Sequence, residues 1–324
     1  MALPRPFAVA AAAAALIAPL TSAQSIAVSG SSTVYPISSA VAESFSADTG
    51  ANVKVESVGT GGGFKAFAKG ETDVSNASRP IKFKEHRALV EAGIDYVEIP
   101  VAYDGLSIVT NKANGWAGKL TVEQLRTIFT EGGADTWNQV DPAFPNVPIK
   151  IYAPGEASGT YDYFKEVISG KGDKHGALRS DMSKSEDDNV LVNGVAGESG
   201  AIGFFGVAYY EENKDKLNAV LIENAEGDYI GPEASTIEDG TYNPFSRPLF
   251  VYVSTKSLER PEVANFISFY LEEGPELAEE VGYVRLPSGV YDVAMRKVKN
   301  RESGSAFMTA EGEKKHGSTV ELYR

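Results

Sequence analysis

Three times in this 324-residue chain a strand-like run breaks into a loop of glycine and hydroxyl residues and resumes as a helical pattern. The first is Gly30-Ser31-Ser32-Thr33, between an apolar strand-like run at 25–29 and a helical pattern over 37–49. The second, Pro154-Gly155-Glu156-Ala157-Ser158-Gly159-Thr160, lies between a strand at 148–152 and a helix at 161–168. The third, Gly59-Thr60-Gly61-Gly62-Gly63, follows the alternating run 53–58 and precedes a short helix carrying Phe64, Phe67 and Ala68 at i, i+3 and i+4. Main-chain N–H groups at a helix start are unpaired, and the helix dipole adds partial positive charge there. Such junctions predict a shared site where a tetrahedral oxyanion docks on main-chain and hydroxyl donors. None carries the Gly-Lys-Ser/Thr order of a phosphate loop, and none fits GxGxxG with a later acidic residue, which argues against nucleotides.

Strand and helix patterns alternate almost throughout, the signature of α/β architecture with mostly parallel sheets. Two places read as crossings between domains. One runs from 96–101 through Tyr103-Asp104-Gly105 into the apolar 106–109; the other runs from Asn243-Pro244-Phe245-Ser246-Arg247-Pro248 into 249–253. We therefore expect a discontinuous first domain (24–103 and 247–324) and a second domain (104–246), joined by two crossover strands with the ligand in the cleft between them. The second domain holds a helix at 121–129, opened by a Thr121…Gln124 capping box, and a strand at 201–205. The first holds a helix at 261–271 with Val263, Phe266, Ile267, Tyr270 and Leu271 inward. The polar tail after Val298 is expected to pack loosely.

Residues 1–23 read as an export segment: Arg5 supplies positive charge, 7–20 is apolar, and Thr21-Ser22-Ala23 offers a cleavage site. The run is too short to span a bilayer. A mature chain starting near Gln24 keeps about 300 residues, enough for two substantial cores. The expectation is an exported chain, periplasmic where the cell has two membranes, with no direct membrane insertion. With no cysteine in the sequence there is no disulfide framework, thiol chemistry, Cys-based metal site or N-terminal lipid-modified cysteine. Formal charge is −14; loss of Arg5 leaves 29 basic against 44 acidic residues, or −15. Such a field does not recruit nucleic acid or anionic lipid. An anion must instead be captured locally, by oriented dipoles and one or two cations.

Enzyme chemistry finds little support. A GxSxG elbow is absent, since Gly155-Glu156-Ala157-Ser158-Gly159 places its first Gly one residue too far from the Ser. The three histidines, His86, His175 and His316, lie in charged contexts, and no metal-ligating spacing occurs. Glu186-Asp187-Asp188-Asn189 reads as a solvated helix start, with ligand contact or lobe closure as the alternative and Asp187 as a candidate. Arg79, at the end of the strand at 73–77, sits where a parallel strand delivers a side chain to the cleft, and its guanidinium can grip two oxyanion oxygens.

Nearly the whole mature chain resembles the phosphate-binding proteins of bacterial phosphate ABC transporters, the PstS family. The resemblance rests on GSSTVYPI from Gly30, VGTGGGF from Val58, DVSNASRPI from Asp73, LTVEQLRTIF from Leu120, PGEASGTYDYF from Pro154, SEDDNVLVNGVAG from Ser185 and GAIGFFGVAYY from Gly200. It implies a two-lobed type II periplasmic binding-protein fold that closes on dehydrated phosphate and delivers it to the transmembrane permease subunits. It implies a monomer without cofactor or metal. Carried over by position, the ligand contacts are Ser32 and Thr33 (with Ser31 beside them), Thr60, Ser78, Arg79, Ser158, Gly159 and Thr160. Two departures stand out: Arg79 replaces the aspartate usual after Ala-Ser, and Pro154 replaces the arginine usual four residues before Ser-Gly-Thr. A carboxylate that accepts the ligand's proton selects phosphate over fully ionised sulfate. Glu156 is the first candidate here, with Asp104 and Asp187 behind it. Other readings are a binding protein for sulfate or molybdate, or a secreted phosphatase.

Overall fold

The computed structural model describes residues 25–324 except 157, 171, 186 and 316. The export segment, His316 and Glu186 therefore lie outside the described residues. Twelve strands are described: β1 (Ile26–Gly30), β2 (Val53–Ser57), β3 (Val74–Ala77), β4 (Tyr96–Asn111), β5 (Lys119–Leu120), β6 (Lys150–Pro154), β7 (Ser183–Ser185), β8 (Ala201–Gly206), β9 (Leu217–Ala219), β10 (Leu221–Glu223), β11 (Tyr229–Ile230) and β12 (Ser246–Ser254). The helices that matter to the argument are α1 (Tyr35–Thr49), α2 (Thr60–Ala68), α3 (Phe83–Glu91), α4 (Val122–Phe129), α5 (Trp137–Val140), α6 (Gly159–Ile168), α7 (Asp188–Gly197), α8 (Val207–Glu212), α9 (Ala234–Glu238), α10 (Pro261–Glu272), α11 (Gly274–Glu280), α12 (Ser288–Asn300) and α13 (Thr319–Leu322).

The two runs expected at 96–101 and 106–109 are one continuous strand. All 16 residues of β4 are buried, because the strand passes through the middle of the molecule and is covered on both faces along its length. Its first half pairs antiparallel with β12, which in turn pairs with β3; its second half pairs with β8 and β9. The sheet order is β2-β1-β3-β12-β4-β8-β6-β7, with β9 also on β4, and a smaller sheet of β11-β10-β5 lies apart. Parallel pairing, expected for most of the sheet, is confined to β2-β1-β3 on one side and β8-β6-β7 on the other. The centre is antiparallel because β4 carries the chain across and β12 brings it back. The result is a mixed α/β fold of the type II periplasmic binding-protein kind.

Helix-forming signals work as the residues dictate. Thr121 Oγ1 accepts the Gln124 N–H and Gln124 Oε1 accepts the Thr121 N–H, both at 3.0 Å, closing the capping box of α4. In α10, Val263, Phe266, Ile267, Tyr270 and Leu271 are buried, and Phe266 meets Phe45 of α1 edge-on at 5.4 Å. Helix α2 begins at Thr60, earlier than its apolar spacing suggests, so the glycine triplet forms the helix's first turn.

The tail after Val298 is not loose. Phe307, Thr319 and Tyr323 are buried, and Phe307 stands edge-on to Phe250 of β12 at 5.0 Å. The anchor is Glu98 of β4. Its carboxylate accepts hydrogen bonds from Ser305 Oγ at 2.7 Å, the Ala306 N–H at 2.8 Å and Tyr252 Oη at 2.8 Å, while its carbonyl accepts from Tyr323 Oη at 2.6 Å. Burial pushes the Glu98 carboxyl up from its usual range, and the three donors oppose that. A mostly polar tail thus packs through a few scattered apolar contacts and one buried acceptor.

Glu98→Ala leaves these donors without their acceptor, each buried orphan costing about 1–3 kcal/mol. The variant should melt lower and lose its C-terminal segment to limited proteolysis before the rest of the chain. Digestion at the wild-type rate would contradict the anchoring role.

Candidate functional site

Close backbone approaches bring the glycine loops together. A Cβ on Gly63 would lie 2.6 Å from Gly30 Cα, so α2 rests directly on the end of β1. A Cβ on Gly159 would lie 2.5 Å from Thr33 Cα, so the start of α6 rests on the first loop. Real Cβ atoms do not approach this closely, and only glycine allows these contacts. Tyr283 holds the first loop from behind, donating its hydroxyl to the Thr33 carbonyl at 2.6 Å.

Between the loops lies a cavity of about 270 Å³. One wall is Ser31, Ser32 and Thr33 with Thr60 and Gly61; Ser78 and Arg79 continue it. Asp162, Tyr163 and Glu166 of α6 and Arg247 of β12 form the opposite wall. No acceptor among the described residues takes the N–H groups of Ser32, Thr33 and Val34 or of Thr60, Gly61 and Gly62. Those donors are what a helix start leaves open to an anion. The Ser78 N–H and hydroxyl both meet Thr60 Oγ1 at 3.2 Å, tying the Gly59–Gly63 loop and the turn after β3 into one surface.

Of the residues singled out in the sequence, Ser31, Ser32, Thr33, Thr60, Ser78 and Arg79 line this cavity. Ser158 and Thr160 do not. Ser158 caps α6, its hydroxyl accepting the Thr160 N–H at 3.2 Å, while Gly159 provides the close approach to Thr33. Glu156 points to solvent and pairs with Lys184 at 2.6 Å, a hydrogen bond that holds its carboxyl below the usual range. Asp187 caps α7, accepting the Asn189 N–H at 3.0 Å.

The cations are arranged in a way the sequence motifs do not reveal. Arg79 turns its fork to Glu85 with two 2.8 Å hydrogen bonds and also donates to the Pro80 carbonyl. Burial alone would raise the Glu85 carboxyl, yet it is held below its usual range by Arg79 and the Lys82 N–H. Arg247 lies opposite. It is paired across the β4–β12 ladder with Asp104, its guanidinium stacks 3.6 Å above the Tyr163 ring, and it donates to Thr33 Oγ1 at 3.2 Å and Glu166 at 3.1 Å. Both Arg247 Nε and Nη2 stand 3.3 Å from Asp104 Oδ2. Asp104 is buried, and burial pushes its carboxyl up to about 6 although Arg247 pulls the other way. Sequence reasoning singled out both segments without linking Asp104 to Arg247.

Two acids at the cavity were also missed. Asp162, in the first turn of α6, accepts the Ser32 hydroxyl at 3.0 Å, 130 residues away in sequence. Glu166 follows one turn later, and the i, i+4 spacing within Tyr161-Asp162-Tyr163-Phe164-Lys165-Glu166 was the available signal. Two guanidinium groups therefore face four carboxylates (Glu85, Asp104, Asp162 and Glu166), and capture of an anion falls chiefly to the neutral N–H and hydroxyl donors.

A folded-state value near 6 for Asp104 against about 3.9 in an unfolded chain has a definite sign. Between those values the folded protein holds the extra proton, so stability falls as pH rises through this window and levels off above it, by up to about 1.4 kcal/mol per pH unit. Asp104→Asn should remove this component: the variant should gain relative to wild type between pH 4 and 6 in denaturant titrations. A constant difference across that range would contradict the assignment.

Comparison with known proteins agrees with this architecture. A profile of the PBP superfamily domain matches residues 18–273. The protein SphX of Synechococcus elongatus is 46% identical over 282 residues, covering 86% of this chain and 82% of its own. The phosphate-binding protein PstS of Staphylococcus saprophyticus is 41% identical over 271 residues, covering 83% and 82%. Among solved structures, a possible phosphate binding protein from Planctomyces limnophilus superposes with a TM-score of 0.82 at 45% identity, over 86% of this chain and 99% of that one. The chain belongs to the PBP superfamily, within the PstS family of phosphate-binding proteins.

Proposed function

We propose that this protein captures inorganic phosphate in the cavity between Ser31–Thr33 and Arg247 and hands it to the permease of an ABC transporter. The observation that carries the reading is the convergence of two helix starts with unpaired N–H groups, five serine and threonine side chains and two guanidinium groups on one 270 Å³ cavity. In this reading the ligand accepts from the main chain of Ser32, Thr33, Thr60 and Gly61, from the hydroxyls of Ser31, Thr33 and Ser78, and from Arg79 and Arg247. Ser158, Gly159 and Thr160 act by seating α6 against Thr33. Delivery requires two states, and β4 and β12 are the strands that bend: we assign the hinge to 103/104 and 246/247, which makes 24–103 with 247–324 one lobe and 104–246 the other. Ser32 on Asp162 and Gly159 on Thr33 then belong to the closed state. Export to the periplasm fits the segment 1–23 and this role. Binding without chemical turnover fits as well, since the Staphylococcus saprophyticus relative is named a phosphate-binding protein and the solved neighbour a possible phosphate binding protein.

The acids on α6 support selectivity for phosphate. Asp162, rather than Glu156, Asp104 or Asp187, faces the cavity at the start of α6 and can accept a proton from a protonated oxyanion. Fully ionised sulfate has no proton to give and meets the same carboxylate as a repulsion.

Calorimetric titration of ligand-stripped protein tests the proposal. Phosphate should bind and at a thousandfold excess over Kd stabilise the fold by about 4 kcal/mol, with sulfate far weaker. Arg247→Ala should cost about 2–5 kcal/mol of binding. Asp162→Asn should narrow the phosphate-to-sulfate ratio, while Glu156→Gln leaves it at the wild-type value. Absence of heat and an unmoved melting curve in millimolar phosphate would overturn the reading.

A further inference from the structure

A second cavity, of about 350 Å³, adjoins the first and shares Ser78, Arg79, Tyr163, Glu166 and Arg247 with it. Inorganic phosphate leaves this space unused. Beyond the shared residues its wall has an apolar part, made by Val167 of α6, Ile237 of α9, Pro248 of β12 and Phe307 and Leu322 of the tail, with Glu238, Ser246, Ser318 and Thr319 as its neutral or acidic polar members. At one side the tail contributes Lys314 and Lys315, whose backbone is fixed by the Met308–Lys314 bridge and by the Lys315 N–H bonded to the Phe307 carbonyl at 2.9 Å. Neither lysine has an ion-pair partner among the described residues, whereas Arg79 and Arg247 are both engaged by carboxylates. The space beside the anion cavity thus has walls suited to a carbon skeleton and a basic corner suited to a second negative charge. The tail builds that corner, and Glu98 holds the tail in place.

We propose that the site also takes phosphate monoesters of acidic organic molecules. The phosphoryl group sits on the donors of the first cavity, the organic group lies between Val167, Ile237 and Phe307, and its acid meets Lys314 and Lys315. No bond is made or broken. The proposal rests on the reading of the first cavity as a phosphate site, and its own failure can be separated from the failure of that reading. Inorganic phosphate binding reports on the first cavity alone.

The test is competition calorimetry with 4-carboxyphenyl phosphate as the probe, phenyl phosphate as its uncharged counterpart and inorganic phosphate as the reference. The wild-type protein should bind all three, with the carboxylated ester tighter than phenyl phosphate. Val167→Trp fills the second cavity from a half-exposed position on α6; it should weaken both esters about tenfold or more and leave inorganic phosphate within about twofold. Lys314→Gln with Lys315→Gln should weaken the carboxylated ester roughly fivefold and leave phenyl phosphate unchanged. Leu322→Trp, filling the same space from the tail, repeats the first result should the α6 variant fold poorly. The proposal is overturned if inorganic phosphate binds while neither ester displaces it, or if the two Trp variants, folded and binding phosphate, hold the esters at wild-type affinity.

Discussion

The contact on which the site turns is the pair formed by Asp104 and Arg247, facing each other across two antiparallel strands. Both strands lie at the middle of the large sheet, so the pair sits between its two parallel flanks. A buried carboxylate beside a guanidinium is costly to desolvate, and its net worth to stability is small or negative. What it supplies is position: with Asp104 behind it and Tyr163 beneath it, the Arg247 guanidinium keeps one edge on Thr33 and the cavity. A cation delivered by an exposed side chain would first lose its rotamer freedom on binding a ligand.

The same economy applies to the anion loops. An acidic protein gains nothing from its long-range field when it captures an anion, and on the cavity wall itself Asp162 and Glu166 match Arg79 and Arg247 in number. Neutral donors at helix starts escape this conflict because they are fixed dipoles with no counter-charge of their own. Their convergence depends on glycines at which a side chain would collide with neighbouring backbone, Gly63 on Gly30 and Gly159 on Thr33. In the proposed reading the acids act as a filter, admitting an oxyanion that brings a proton and opposing one that does not.

The local parts of this arrangement were legible in the sequence. Glycine-hydroxyl turns, a capping box and the inward stripe of α10 are set by neighbours in the chain, and the alternation of strands and helices fixes the α/β class. The parts that depend on register were not. Arg247 meets Asp104 across 143 residues, and nothing in either local segment says which strands will lie side by side. Asp162 reads as an ordinary first-turn acid until Ser32 is found opposite it. Glu156, equally well placed by sequence, turns outward to Lys184, because that loop lies on the solvent side of the helix start. The tail misleads for a compositional reason: its buried residues Phe307, Thr319 and Tyr323 are scattered among polar ones, and Glu98, the acceptor for Ser305, Ala306 and Tyr323, lies over 200 residues away.

The central claim is that one oxyanion sits among the first loop, Ser78 and Arg247. Anomalous diffraction from crystals grown with arsenate, which shares phosphate's shape and protonation, tests it most directly. The account predicts a single strong arsenic peak inside the cavity, within hydrogen-bond distance of the Thr33 and Ser78 hydroxyls and of the Arg247 guanidinium. An ordered arsenic site elsewhere on the protein, with this cavity empty of it, would contradict the account.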